Sequence, residues 1–411
     1  MSITIKLFPK RLLAVAISVI LPVTGFAAND LELLKQEVEQ LKIDVKDAKE
    51  WRNQNSLMHM AGYADVGYVS NDNPAIEDSY TVGTFAPIFH YQYRDQVMLE
   101  AEMEFSVAED GSTEVAMEYL TIDWIMNDNM ILVAGQFLSP IGNFRQNLHP
   151  SWINKLPSAA PGFGHDGAAP VSDLGFQLRG GFNLGSMKAN YAVYMGNGPE
   201  LKAEIAELNA STIDEIEYDG IEAEAFGADR DGEKVVGGRF GLLPIPSLEI
   251  GVSFLSGKAT VSEYEGTDDV SVYTASPVND LSDLSTITSS DYDVTGVDVS
   301  WRNKSFDVRY EYIKSEVGET TISGFDLEAA KWSTWYGQVA YKIPSTKFEA
   351  VMRYTDFDSP HGSKDQQQTA VGVNYLIASN FIAKLGFEIN DNPNAGQTAY
   401  DRTLVQLAYG F

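Results

Sequence analysis

The chain has 411 residues, of which 44% are hydrophobic, with 29 Lys and Arg against 58 Asp and Glu and no cysteine. The lack of cysteine excludes a disulfide scaffold, the 20 Phe and 20 Tyr exclude a disordered polymer, and a formal net charge of -29 argues against nucleic acid as a partner. Beyond the N-terminus no apolar run reaches the ~18 residues of a membrane helix, which leaves a soluble multidomain protein or a β-barrel.

Residues 1–27 read as a secretory signal peptide. Lys6, Lys10 and Arg11 precede the apolar stretch Leu12 to Leu21, Pro22 and Gly25 break it, and Gly25-Phe26-Ala27 is a small-x-small cleavage pattern. The apolar stretch is too short to cross a ~30 Å hydrocarbon core as a helix, so cleavage is expected rather than anchoring.

Residues 28–56 read as a coiled-coil segment and linker. Leu31, Leu34, Val38, Leu41 and Val45 recur at alternating spacings of three and four, with Lys35, Lys42 and Lys49 at e positions and Glu37 and Asp44 at g. Such a narrow seam with ordered flanking charges predicts self-association through these residues. Asn53-Gln54-Asn55-Ser56 ends the helix.

From residue 57 to the C-terminus the hydrophobic period becomes two. Phe381, Ala383, Leu385, Phe387 and Ile389 alternate with Lys384, Gly386, Glu388 and Asn390, and Val97, Leu99, Ala101, Met103 and Phe105 alternate with Glu100, Glu102 and Glu104. Tight turn signals fall at Arg94-Asp95, Asn127-Asp128, Gly185-Ser186, Pro246-Ser247, Asn303-Lys304, Pro344-Ser345 and Ser379-Asn380. The opposite strand ends are joined by long polar stretches near 139–172, 197–232 and 258–292. Short turns on one side and long loops on the other predict an all-β fold, a 16-stranded antiparallel transmembrane β-barrel over 57–411, wide enough for water. Aromatic residues gather near segment ends, where girdles meet lipid headgroups and lipopolysaccharide, and the last strand closes on Phe411.

The first strand His59-Met60-Ala61-Gly62-Tyr63-Ala64-Asp65, the segment Gly135-Gln136-Phe137-Leu138-Ser139-Pro140-Ile141-Gly142 and the closing Ala408-Tyr409-Gly410-Phe411 make the chain resemble the trimeric outer-membrane porins of the phosphate-selective O/P type. The resemblance implies a homotrimer in a Gram-negative outer membrane, a periplasmic coiled coil, and a third loop folded inward to constrict the pore. Here that loop would be 139–172, carrying Arg145, His149, Lys155, His165 and Asp166, and stiffened by Pro150, Pro157, Pro161 and Pro170. Arg145 and Lys155 are the residues expected to meet solute.

The family's basic lumen ladder is not reproduced. Inward positions combine Arg179, Arg239, Arg309, Arg353, Lys384 and Arg402 with Glu100, Glu102, Glu104, Glu311 and Glu388, a mixture that builds a transverse field rather than a phosphate ladder. Any one of these charges is more simply read as half of a cross-strand ion pair.

The stretch 200–233 holds twelve acids against Lys202 and Arg230, and its simplest reading is a solvated surface loop without a calcium-loop ligand order. No catalytic motif, cofactor motif or metal-ligand spacing is present, and His165-Asp166 is the one place to look for a hydrolase pair. The expected function is passive diffusion of small hydrophilic solutes, charged ones foremost, with phosphate or another anion as the candidate; the alternative is a structural or adhesive barrel tethered through its coiled coil, with little conductance.

Overall fold

A strand with one apolar and one polar face can cross a membrane only if its sheet closes, because an open edge would leave backbone N–H and C=O groups unpaired in hydrocarbon. The computed structural model describes residues 56–411 except 109–110, 165–166, 169, 210–211, 223–228, 230, 266–287, 323–324, 361–363 and 395–398. The leader and the heptad residues Leu31, Leu34, Val38, Leu41 and Val45 lie outside the described residues, as do His165 and Asp166.

The strands are β1 (Ser56–Asn71), β2 (Ser79–Tyr93), β3 (Val97–Val107), β4 (Thr113–Asn127), β5 (Met130–Leu138), β6 (Ser172–Leu184), β7 (Met187–Gly196), β8 (Glu200–Asn209), β9 (Thr212–Glu222) and β10 (Val235–Ile245). They continue with β11 (Leu248–Glu265), β12 (Thr288–Arg302), β13 (Phe306–Val317), β14 (Thr320–Ile322), β15 (Phe325–Leu327), β16 (Ala330–Lys342), β17 (Phe348–Asp358), β18 (Gln366–Ala378), β19 (Phe381–Asp391) and β20 (Arg402–Gly410). One short helix, α1 (Phe144–Asn147), lies between β5 and β6.

Leaving aside β8, β9, β14 and β15, the remaining strands form a closed 16-stranded antiparallel barrel. β7 pairs directly with β10, β13 with β16, and β1 with β20 through Tyr63↔Gly410 to Asn71↔Arg402. The seam is completed by Phe411 N donating to the Gly62 carbonyl at 2.9 Å and Gly62 N donating to the Phe411 carbonyl at 3.0 Å.

The exterior is apolar in a band. Leu385, Phe387 and Ile389 on β19 and Val405, Leu407 and Tyr409 on β20 are exposed, while Lys384, Glu388 and Gln406 between them are buried inside. At the turn end, neighbouring strands bring aromatic rings into contact, with centroids 4.7 Å apart for Phe306 and Tyr341, 5.1 Å for Phe348 and Tyr375, and 5.8 Å for the edge-on pair Phe381 and Tyr409. These are the cross-strand pairs of a girdle.

Toward the loop end the polarity of the two faces reverses while the period of two persists. On β12, Val297 and Trp301 face out and Asp298 and Ser300 face in, but further along Asp291 and Asp293 face out and Tyr292 and Val294 face in. β13 repeats this, with Tyr310 out and Glu311 in, then Glu316 out and Ile313 and Val317 in. The wall therefore extends past its apolar band, and its loop end encloses an apolar core.

The stretch 197–232, expected as a long solvated loop, is instead built around the β8–β9 hairpin. β11 runs past the end of β10, and β8 covers that free edge in parallel, from Thr260↔Glu200 to Glu265↔Glu204. Leu201 and Ile221 are fully buried by it, which supplies the apolar contact that a purely acidic loop would lack.

Gly62 permits the seam. It has φ +155°, and an added Cβ would meet the Ala86 carbonyl oxygen and lie 2.7 Å from Phe411 Cζ. Gly62→Val is expected to lose the heat-resistant folded form on unboiled SDS gels, whereas Gly185→Ala, in a turn with nothing within 4 Å of the new Cβ, is expected to keep it.

Candidate channel interior

The segment between β5 and β6 crosses the barrel interior. Its ends are tied together by Ser139 N donating to the Val171 carbonyl at 3.0 Å. A buried irregular segment must find a partner for each of its backbone polar groups, and here wall side chains supply many of them. Gly142 N donates to Ser253 Oγ at 3.0 Å. At the start of α1, Asn143 N donates to Glu311 Oε1 at 2.9 Å and Phe144 N to Glu311 Oε2 at 3.1 Å. Gly142 itself has φ +73°, and a Cβ there would run into Glu311 Oε1.

Farther along, donors on the wall meet carbonyls of the segment. Lys384 Nζ donates to the Ser151 carbonyl and, at 3.3 Å, to that of Leu156. Arg353 donates to Ser158 O at 3.2 Å and to Ala159 O at 2.9 Å. Asn374 Nδ2 reaches Lys155 O at 2.9 Å, Thr334 Oγ1 reaches Pro161 O at 2.8 Å, and Ser315 Oγ reaches Ala168 O at 2.5 Å. The segment's apolar side chains join the loop-end core, where Phe163 sits edge-on to Tyr336 with centroids 5.0 Å apart, and Ile141, Phe144 and Leu148 are buried. Each such side chain contributes roughly 1.5–3 kcal/mol by burial.

The charged residues expected at the constriction and along the lumen have the following partners. Arg145 is buried, its Nη2 2.5 Å from Glu118 Oε2, and Lys155 Nζ lies 3.1 Å from Glu349 Oε2, so both tie the segment to the wall. His149 Nδ1 donates to the Arg145 carbonyl, and its Nε2 stands 3.9 Å from Glu102 Oε1. Glu102, Arg309, Glu311, Arg353, Lys384 and Glu388, all expected to line the pore, are buried. The segment covers Glu311, Arg353 and Lys384 directly, Ser158 Oγ donates to Glu388, and Arg309 is chelated by Asp307 at 2.7 Å. Arg402 Nη2 contacts Glu388 at 2.6 Å, and Glu104 accepts from Thr84 Oγ1 at 3.1 Å.

Two carboxylates that matter escaped the sequence reading. Glu118 points inward because β4 bulges against Glu102 and Met103 of β3, so that two successive residues share the inner face and the period of two breaks. Asp123, fully buried, lies 2.6 Å from Arg179 Nη2. Alternation on β4 signals Asp123, whereas nothing in the pattern signals the bulge.

What the segment leaves open is a cavity of about 760 Å³ at the turn end, bounded by Arg179, Arg239, Arg302, Glu249, Asn190 and α1. A smaller cavity of about 210 Å³ adjoins it, and the two share Gln146, Asn147, Gln177 and Arg179. Among the described residues no cluster of His, Asp and Glu converges to hold a metal ion.

The chain matches no family model and no curated protein. Solved structures do share its fold. A loop-deletion form of OmpT, an outer membrane protein of Vibrio cholerae, superposes with a TM-score of 0.53 at 11% identity, over 87% of this chain and 100% of its own. The anion-selective porin from Comamonas acidovorans gives 0.53 at 12% identity, over 87% and 100%. The outer membrane channel DcaP of Acinetobacter baumannii gives 0.53 at 10% identity, over 88% and 99%. The fold of this chain is thus the 16-stranded barrel of outer-membrane porins.

Glu311 holds the segment by charge-assisted hydrogen bonds, each of which is generally worth about 1.5–3 kcal/mol. Glu311→Ala is expected to expose Arg145 and Lys155 to trypsin, giving cleavage within 139–171 while the barrel remains folded on gels. Glu311→Gln, which keeps an acceptor, is expected to be cleaved more slowly than the alanine variant.

Proposed function

We propose that the chain is a porin, an outer-membrane channel for passive diffusion of small hydrophilic solutes. The observation that carries this reading is the interior cavity of about 760 Å³ lined by guanidinium, carboxylate and carboxamide groups. An open space bordered by such charged and amide groups admits water, and a barrel of 16 strands is wide enough to hold it. The apolar exterior band and aromatic girdle fit a bilayer, with the short turns on the periplasmic side. The segment 139–171 would act as the constriction, restricting passage to the β3–β7 and β10–β12 side. The heptad residues would join copies of the chain, as a trimer in the arrangement that the O/P-type resemblance implies, and the leader 1–27 would direct export.

A second reading, a structural barrel with little conductance, draws on the apolar core at the loop end, where Phe137, Tyr194, Tyr292 and Trp332 pack inside the wall. Planar-bilayer reconstitution separates the two. The porin reading expects stepwise conductance from folded protein, and its persistent absence would favour the structural barrel. Because the segment occupies much of the interior, replacing 141–168 by a short glycine-serine link is expected to raise single-channel conductance several-fold.

A further inference from the structure

Two arginines face the cavity, and each has two carboxylates within contact. Arg179 Nη2 lies 2.6 Å from Asp123 Oδ2 and 3.3 Å from Glu100 Oε2. Arg239 donates from Nε and Nη2 to Asp298 at 2.8 and 2.7 Å, from Nη1 to Asn190 Oδ1 at 3.2 Å, and from Nη2 to Glu249 Oε1 at 3.0 Å. Within each set the two acids differ in burial. The side chains of Asp123 and Asp298 are each 1% exposed, while Glu100 is 19% and Glu249 26% exposed.

A buried aspartate already neutralises each guanidinium and completes a close ion pair. The second carboxylate is therefore surplus. It hydrogen-bonds the same guanidinium and leaves each cluster one negative charge in excess, which is tolerable only where water screens it. Each cluster thus presents one net negative charge from the glutamate and not from the aspartate, Glu249 at the larger cavity and Glu100 at the smaller one. An incoming anion would find the Arg239 donors occupied and a carboxylate beside them. At the turn end Arg302, 3.7 Å from Asp307, shares that acid with Arg309, leaving one positive charge there.

We propose that Glu100 and Glu249 make the channel prefer cations and uncharged polar solutes over anions. The remaining polar groups suit such solutes. Gln146, Asn147, Gln177 and Asn190 line the space with carboxamides, which pair with hydroxyls and amides without regard to charge. His90 Nε2 lies 3.4 Å from Glu100 Oε1, and Tyr119 lines the smaller cavity beside that carboxylate. The proposal rests on the channel reading and opposes the anion preference implied by the resemblance to O/P-type porins.

The test is the reversal potential of the full-length protein in planar bilayers across a KCl gradient. The wild-type chain is expected to favour K⁺. The double variant E100Q/E249Q, in which both buried aspartates still hold their arginines, is expected to lower the K⁺/Cl⁻ permeability ratio several-fold with unchanged gel migration. R302Q, at an exposed turn-end position, is expected to raise that ratio, and it provides an independent reading should the double variant fail to fold. A conducting wild-type channel that favours Cl⁻, or a folded double variant with an unaltered ratio, would overturn the proposal and leave the channel reading standing. Absence of conductance from folded wild-type protein would overturn both.

Discussion

The structure depends on one constraint: a chain segment placed inside a closed barrel must have its backbone N–H and C=O groups satisfied by the wall. Most connections avoid this requirement by staying in solvent. The segment 139–171 meets it through a division of labour. Glu311 accepts N–H groups at the start of α1, and Lys384, Arg353, Asn374, Thr334 and Ser315 donate to carbonyls farther along. Acidic and basic wall residues thus stand where the backbone presents the opposite partial charge.

That arrangement changes what the interior charges do. A mixture of acids and bases along a lumen suggests a field acting on passing solute, yet Glu311, Arg353 and Lys384 are covered by the segment they hold. The charged groups left bordering the cavities are chiefly Arg179, Arg239, Glu100 and Glu249. The inward charges therefore fall into two subsets distinguished by burial, those that hold the segment and those that border the cavities.

The barrel was legible in the sequence because its determinants are local: a period of two, turn residues at one end, and aromatics near strand ends. The alternation from Phe381 to Asn390 became β19 (Phe381–Asp391), and that from Val97 to Phe105 became β3 (Val97–Val107). Three features were hidden for physical reasons. The reversal of polarity along β12 and β13 keeps the period of two, so alternation alone does not mark where the apolar band stops. The bulge that turns Glu118 inward depends on its pairing with β3. The β8–β9 hairpin depends on a free edge of β11, whereas the composition of 200–233 suggests only solvation. For the interior site, inward charges could be listed from alternation, but which of them a distant segment would cover is a tertiary fact.

The central claim is that 139–171 is a fixed part of the interior and not a surface loop. Hydrogen exchange of the detergent-folded protein, read peptide by peptide, tests it most directly. Amides of Gly142, Asn143, Phe144 and Leu148, each with a named acceptor, are predicted to exchange as slowly as those of β13 and β16. Exchange of the 139–164 peptides as fast as that of the exposed turn at Gly185 would contradict the account.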